Sequence, residues 1–120
     1  MSLIKVSQAQ GRVPVTVFHL QDRVNLGNTA ELERAAQEAY DNGMRDLVID
    51  LREAPSLTSA GIRAIMALHK MLMKGESEGS ARHLKLVSPT SYVREVLDIA
   101  GLSGYIEIYD SLDDAVASFG

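Results

Sequence analysis

Two adjacent hydroxyls, Thr58 and Ser59, stand between Leu57 and Ala60-Gly61, directly ahead of the apolar run Ile62-Arg63-Ala64-Ile65-Met66-Ala67-Leu68. Positions 62, 65, 66, 69, 72 and 73 recur at a helical period, with His69 the polar exception, so a helix begins here. Either hydroxyl is a natural N-cap, because a short side-chain oxygen accepts from the free amides of a first turn. Upstream, Asp46-Leu47-Val48-Ile49-Asp50-Leu51 reads as a buried central strand. A hydroxyl on that strand–loop–helix junction lies over the positive end of a helix, a good place to carry a phosphate.

Other chemistry finds little support. His19, His69 and His83 have neither metal-ligand spacing nor a carboxylate four residues on, and no Ser-His-Asp order can be read from the chain. His69 falls on the apolar side of its helix and reads as a core or boundary residue. Gly-x-Ser-x-Gly is absent, and Gly75 and Gly79 lack the Lys-Ser/Thr that completes a phosphate-binding loop. Asp113-Asp114 opens the last helix, where acids suit the dipole, and Met66, Met71 and Met73 are core filler. The residues therefore point to no enzyme, metal or cofactor.

Composition narrows the partners. A net charge of −4 argues against nucleic acid or an anionic membrane as the binding target. No run approaches the roughly 18 apolar residues of a membrane span, and no signal peptide is visible. Without cysteine there are no disulfides, which fits a cytoplasmic protein. A length of 120 residues suits a single domain, 1–120.

The elements that position the hydroxyls follow in order. Alternation over 4–7 and 13–18 predicts a hairpin, with Pro14 at a strand start or a sheet edge. Residues 20–28 are loop. A capping-box-like start at Asn28 with Glu31 predicts a helix whose apolar face is Leu32, Ala35, Ala36, Ala39 and Tyr40, stopped by Asn42-Gly43. The strand at 46–51 and the helix at about 60–74 come next, then a stretch at 75–82 that reads as a mobile surface loop. Leu84–Val87 is a strand, Ser88-Pro89 restarts helix, and Gly101 ends it. Tyr105–Tyr109 is the last strand, and Ser111 with Asp114 caps a final helix.

Strands separated by helices pair in parallel through right-handed crossovers. The expected fold is α/β, a mixed and mostly parallel sheet of about five strands with an antiparallel edge hairpin and about four helices. Every loop leaving a parallel strand for a helix then emerges at one end of the sheet. Asp22, Arg23, Asn25, Ser59 and Ser88 should share that rim.

Leu47–Leu51 followed by Leu57-Thr58-Ser59-Ala60-Gly61-Ile62-Arg63 resembles the signature of the STAS domain family, roughly apolar-Asp-Ser-Ser/Ala-Gly-apolar after a buried strand. The resemblance covers nearly the whole chain, with Asn25…Thr29-Ala-Glu-Leu and Ser88-Pro89…Gly101-Leu102 falling where the family has similar stretches. It implies a non-enzymatic anti-sigma factor antagonist. Ser59 occupies the family's phosphoacceptor position and Ala60 is an accepted variant of the next residue. Thr58 replaces the usual Asp, which makes it a minor rival acceptor, and Asn25 stands where Asp is common. The implied partners are an anti-sigma factor that is also a serine kinase, and a serine phosphatase. The docking rim would comprise Asp22, Arg23, Asn25, Thr58, Ser59, Ala60, Gly61, Arg63 and Ser88. There the side-chain-free Gly61 would let a partner approach closely, and Arg63 would either pair with the phosphate or stay solvated. The alternative is a STAS scaffold or transporter-associated module, for constitutive assembly or small-ligand binding, without a phospho-switch.

Overall fold

The computed structural model describes residues 3–76 and 82–120. It contains β1 (Ile4–Gln10), β2 (Pro14–Leu20), α1 (Thr29–Asp41), β3 (Leu47–Asp50), α2 (Ser59–Leu72), β4 (Leu84–Val87), α3 (Ser91–Ile99), a 3₁₀ turn (Leu102–Gly104), β5 (Glu107–Tyr109) and α4 (Leu112–Ala117). Most of the stretch read as a mobile loop, residues 77–81, lies outside the described residues.

The five strands lie in the order β1-β2-β3-β4-β5. β1 and β2 are antiparallel, and every later pair is parallel. Because the strand order steps in one direction from β2 to β5, right-handed crossovers put all three connecting helices on the same face. The larger core shows this: α1 (Leu32, Ala36), α2 (Ala64, Ile65, Leu68, Leu72) and α3 (Val93, Leu97) pack on Phe18, Leu20, Leu47, Ile49, Leu84 and Leu86. That leaves the second face to the C-terminal segment. There Ala115, Val116 and Phe119 cover Val15, Val17, Val48 and Val87. β3 is buried on both faces, which is why it is apolar through three of its four residues.

Pro14 opens β2, where a missing N–H is tolerated, and Gly43 takes a left-handed φ of 107° after α1. Two helix starts differ from the sequence reading. Asn28 makes no side-chain cap to α1; its side chain turns back, accepting from Asn25 N and donating to Arg23 O. Glu31 instead accepts from Leu3 N at 2.8 Å, tying α1 to the start of β1. The capping box is given up because both side chains hold neighbouring segments. Likewise α3 is capped by Thr90, whose oxygen accepts from Val93 N, so Ser88-Pro89 precedes the helix and does not form its first turn. Ser88 has a φ of +54°, a left-handed turn out of β4 that no helical residue could make.

At the opposite end of the sheet from the strand C-termini, His83 lies between two carboxylates. Its Nδ1 is 2.7 Å from Asp46 Oδ1 and its Nε2 is 3.0 Å from Glu76 Oε1. Burial pushes the ring pKa down, but the hydrogen bonds and charges of Asp46 and Glu76 outweigh it and hold it above the ordinary 6.5. A folded pKa above the unfolded one gives stability that is full below the unfolded value and is lost as pH rises through the folded value. The urea midpoint of the wild type should therefore exceed that of His83→Gln most below about pH 6.5, with the gap closing as pH rises through the raised folded value. A gap that widens with pH would contradict this assignment.

Candidate functional site

The 51–58 loop carries the chain from the end of β3 to α2, and the 20–28 loop holds it in place. Val24, fully buried, forms a parallel bridge with Leu57. Val24 N donates to Ser56 O at 3.1 Å, and Val24 O accepts from Thr58 N at 3.0 Å. Thr58 is the N-cap: extended in backbone, it accepts from Gly61 N through Oγ1 and donates the same hydroxyl to Val24 O at 3.2 Å. Its hydroxyl is therefore engaged on both sides.

Ser59, the first residue of α2, is exposed. It stands at the start of a 14-residue helix with no acid in its first turn, so the partial positive charge there is uncompensated by the helix's own side chains. Ala60 is half-buried and Arg63 exposed one turn on. Gly61 faces the other way. It is buried, and a Cβ on it would come within 2.6 Å of Leu57 Cδ1 and 3.0 Å of Val24 Cγ1. Glycine is required for close packing of α2 on the two loops, not for the approach of a second molecule, and the expectation for that residue is corrected accordingly.

In the 20–28 loop, Asp22 and Arg23 are exposed and form a local pair, with Asp22 Oδ1 accepting from Arg23 N at 2.8 Å. Asn25 accepts from Gly27 N and, through its backbone carbonyl, from Asn28 N and Thr29 N, so it shapes the entry to α1. Between them Leu26 projects into solvent at 79% exposure, a residue the sequence reading passed over because a lone leucine in a polar loop carries no periodic signal. Ser88 is tied to the last rim loop: its Oγ donates to Asp110 O at 3.0 Å. The bridge thus joins the loops carrying Asn25 and Ser59, while Ser88 belongs to the β4–β5 side of the rim.

No histidine has a carboxylate four residues on, but the fold brings acids to two of them from distant parts of the chain, His83 to Asp46 and Glu76 and His19 to Asp50. His19 Nδ1 lies 2.8 Å from Asp50 Oδ2, and His19 Nε2 lies 2.9 Å from Ser7 Oγ. His69, by contrast, has a buried Nδ1 without a hydrogen-bond partner among the described residues. Desolvation, then the charges of Arg82 and Lys70, lower its pKa and keep it neutral. Among the described residues no cluster could hold a metal ion, and no helix is long and apolar enough to cross a membrane. A recess of about 700 Å³ is lined by residues such as Gln8, Thr16, Asn42 and Asp46, at the end of the sheet away from Ser59.

A parallel sheet with a capped helix start at the strand C-termini defines a class that comparison identifies. A family model for the STAS domain matches residues 6–115. BtrV of Bordetella bronchiseptica, provisionally named an anti-sigma factor antagonist, is 32% identical over 83% of this chain and 82% of its own. A Thermotoga maritima protein with the same provisional name superposes with a TM-score of 0.80 at 18% identity, over 93% of this chain and 90% of its own. The Bacillus protein SpoIIAA shares the fold at 13% identity in both its unphosphorylated form (TM-score 0.73, covering 94% and 92%) and its phosphorylated form (TM-score 0.67, covering 94% and 96%). The chain belongs to the STAS domain family, and the mixed five-stranded sheet is the fold of these neighbours.

The two hydroxyls should separate cleanly in stability. Thr58→Ala, which removes the cap, should cost about 0.5–2 kcal/mol in urea denaturation, whereas Ser59→Ala should fall within about 0.5 kcal/mol of wild type. Equal losses at both positions would mean that the cap is not the one described.

Proposed function

We propose that the protein is an anti-sigma factor antagonist whose binding surface is switched off by phosphorylation of Ser59. It acts by occupying an anti-sigma factor that is also an ATP-dependent serine kinase. The kinase adds the phosphate and a serine phosphatase removes it. In this role the chain is a binding module and not a catalyst. The observation that carries the reading is the division of labour between neighbours: the Thr58 hydroxyl is bonded to Gly61 N and Val24 O, while Ser59 is exposed beside it. Both residues are exposed, but phosphorylation of Thr58 would give up two bonds of its hydroxyl, so Thr58 is the poorer acceptor and Ser59 the better one. Kinship with proteins named as anti-sigma factor antagonists supports the partner class.

The switch follows from comparing magnitudes. On the free protein, a phosphate at the start of α2 gains about 0.3–1 kcal/mol from the helix dipole, so the fold tolerates it. Enclosed in an interface without basic partners, a group of charge near −2 costs several kcal/mol. Each 1.4 kcal/mol is about tenfold in affinity, so release requires no refolding. Asp22, Arg23, Asn25, Ala60 and Arg63 would belong to the same docking surface, with the exposed Leu26 as an apolar contact.

Incubation with the cognate kinase and ATP should place one phosphate on Ser59 by peptide mass spectrometry, and none on Ser59→Ala. The phosphorylated protein or Ser59→Asp should bind that kinase at least about a hundredfold more weakly than wild type. Undiminished binding by the phosphorylated form would refute the switch.

A further inference from the structure

On the face of the sheet away from α1–α3, three strands contribute one residue each to a hydrogen-bonded chain. Ser7 lies on β1, His19 on β2 and Asp50 at the end of β3. The register pairs His19 with Lys5 on one side and Asp50 on the other, with Ser7 diagonal to it. Asp50 is 8% exposed, and its second oxygen accepts from Arg52 N at 3.0 Å, so the carboxylate is fixed from both ends. A carboxylate only accepts hydrogen bonds, so the ring proton sits on His19 Nδ1, facing Asp50 Oδ2 at 2.8 Å. In the neutral ring Nε2 is then the acceptor, and the Ser7 hydroxyl donates to it across 2.9 Å. That is the arrangement in which a serine is activated by a base and the base is oriented by an acid, which is recognised by geometry and not by order in the chain. Ser7 and His19 are only partly buried and open onto a recess of about 400 Å³ that Lys5, Arg52 and Leu112 also line.

The geometry points to Ser7 as an activated nucleophile that accepts acyl groups from small carboxylic esters. Ser7 Oγ bonds to the acyl carbon as its proton passes to His19 Nε2. Collapse of the tetrahedral adduct breaks the bond to the leaving oxygen, which takes that proton from Nε2 and departs as the alcohol. Water, deprotonated by the same nitrogen, then adds to the acyl carbon, and the bond to Ser7 Oγ breaks as Oγ takes that proton back from Nε2, releasing the acid and the free serine. Lys5 and Arg52 line the recess as the cations available to a developing oxyanion, alongside the carboxylates of Asp50 and Glu53. Ser7 lies mid-strand, and charge stabilisation falls to these mobile side chains, so the chemistry is slow acylation and not rapid turnover. It is independent of Ser59, which lies on the loop-to-helix junction and makes no part of this recess.

The test is to treat the full-length protein with 4-nitrophenyl acetate, and separately with an alkyl fluorophosphonate, and to map the adduct by peptide mass spectrometry. The expected result is one adduct at Ser7, absent from Ser7→Ala. His19→Gln should slow it at least about a hundredfold, the smaller end of what a general base supplies. Ser59→Ala should leave it unchanged, so the acylation result and the phospho-switch stand or fall separately. Circular dichroism of Ser7→Ala, which truncates one partly exposed hydroxyl, checks that the fold is retained. No Ser7 adduct above the Ser7→Ala background, or a rate indifferent to His19, would reduce the three residues to a structural tie and overturn the proposal.

Discussion

The orientation of Ser59 depends on one short clamp. Val24, fully buried, is bonded through its N–H to Ser56 and through its carbonyl to both the amide and the hydroxyl of Thr58. Leu57 fills the space beneath, and Gly61 has no Cβ to hold α2 away from the pair. With the residues on either side fixed, Ser59 has only the outward direction left to it. Were Val24 free, the 56–58 segment would lose its hydrogen bonds to the 20–28 loop, and the helix start would fray.

The same clamp explains why a charge can be added at Ser59 without disturbing the core. The contacts that stabilise the junction are made by Val24, Leu57, Thr58 and Gly61, and not by Ser59. The larger core takes in Val24 and Leu57 of the clamp and continues beneath α2 through Ala64, Ile65, Leu68 and Leu72, while Ser59 stays exposed. Modification and stability are carried by different side chains of one short segment. On the proposed switch, such a fold would present or withdraw a docking surface through electrostatics alone.

Much of this architecture was legible in the sequence because it follows from periodicity and chain order. The apolar run at β3 identified the central strand, Asn42-Gly43 and Gly101 marked helix ends, and one-directional strand order follows from alternating helices and strands. The Thr58-Ser59 pair was also visible, although which of the two caps α2 was not, since that depends on a carbonyl 34 residues away. Asn28 misled for a similar reason: its side chain serves Arg23 and Asn25, and Glu31 serves Leu3. The Ser7–His19–Asp50 chain could not be read at all. Alternation places Ser7 and His19 on particular faces, but only the register of two strand pairs brings them within reach of Asp50. Gly61 shows the converse error, a small residue read as accessible because its burial is set by Val24 and Leu57.

The departure from the family pattern at Thr58 has a physical rationale in the same clamp. A carboxylate in the cap position can accept from Gly61 N, but it has no proton to donate to Val24 O, whereas the threonine hydroxyl does both. Threonine therefore adds a bond between the two rim loops that the usual acid cannot make. It also removes a negative charge next to Ser59, where two like charges about 4 Å apart repel by about 1 kcal/mol in water and about 4 kcal/mol near a protein surface. The phosphorylated form of this chain is thus less self-repelling than one with an acid at that position. On the proposed switch, what discourages rebinding would then come from the partner's surface and not from strain within the domain itself.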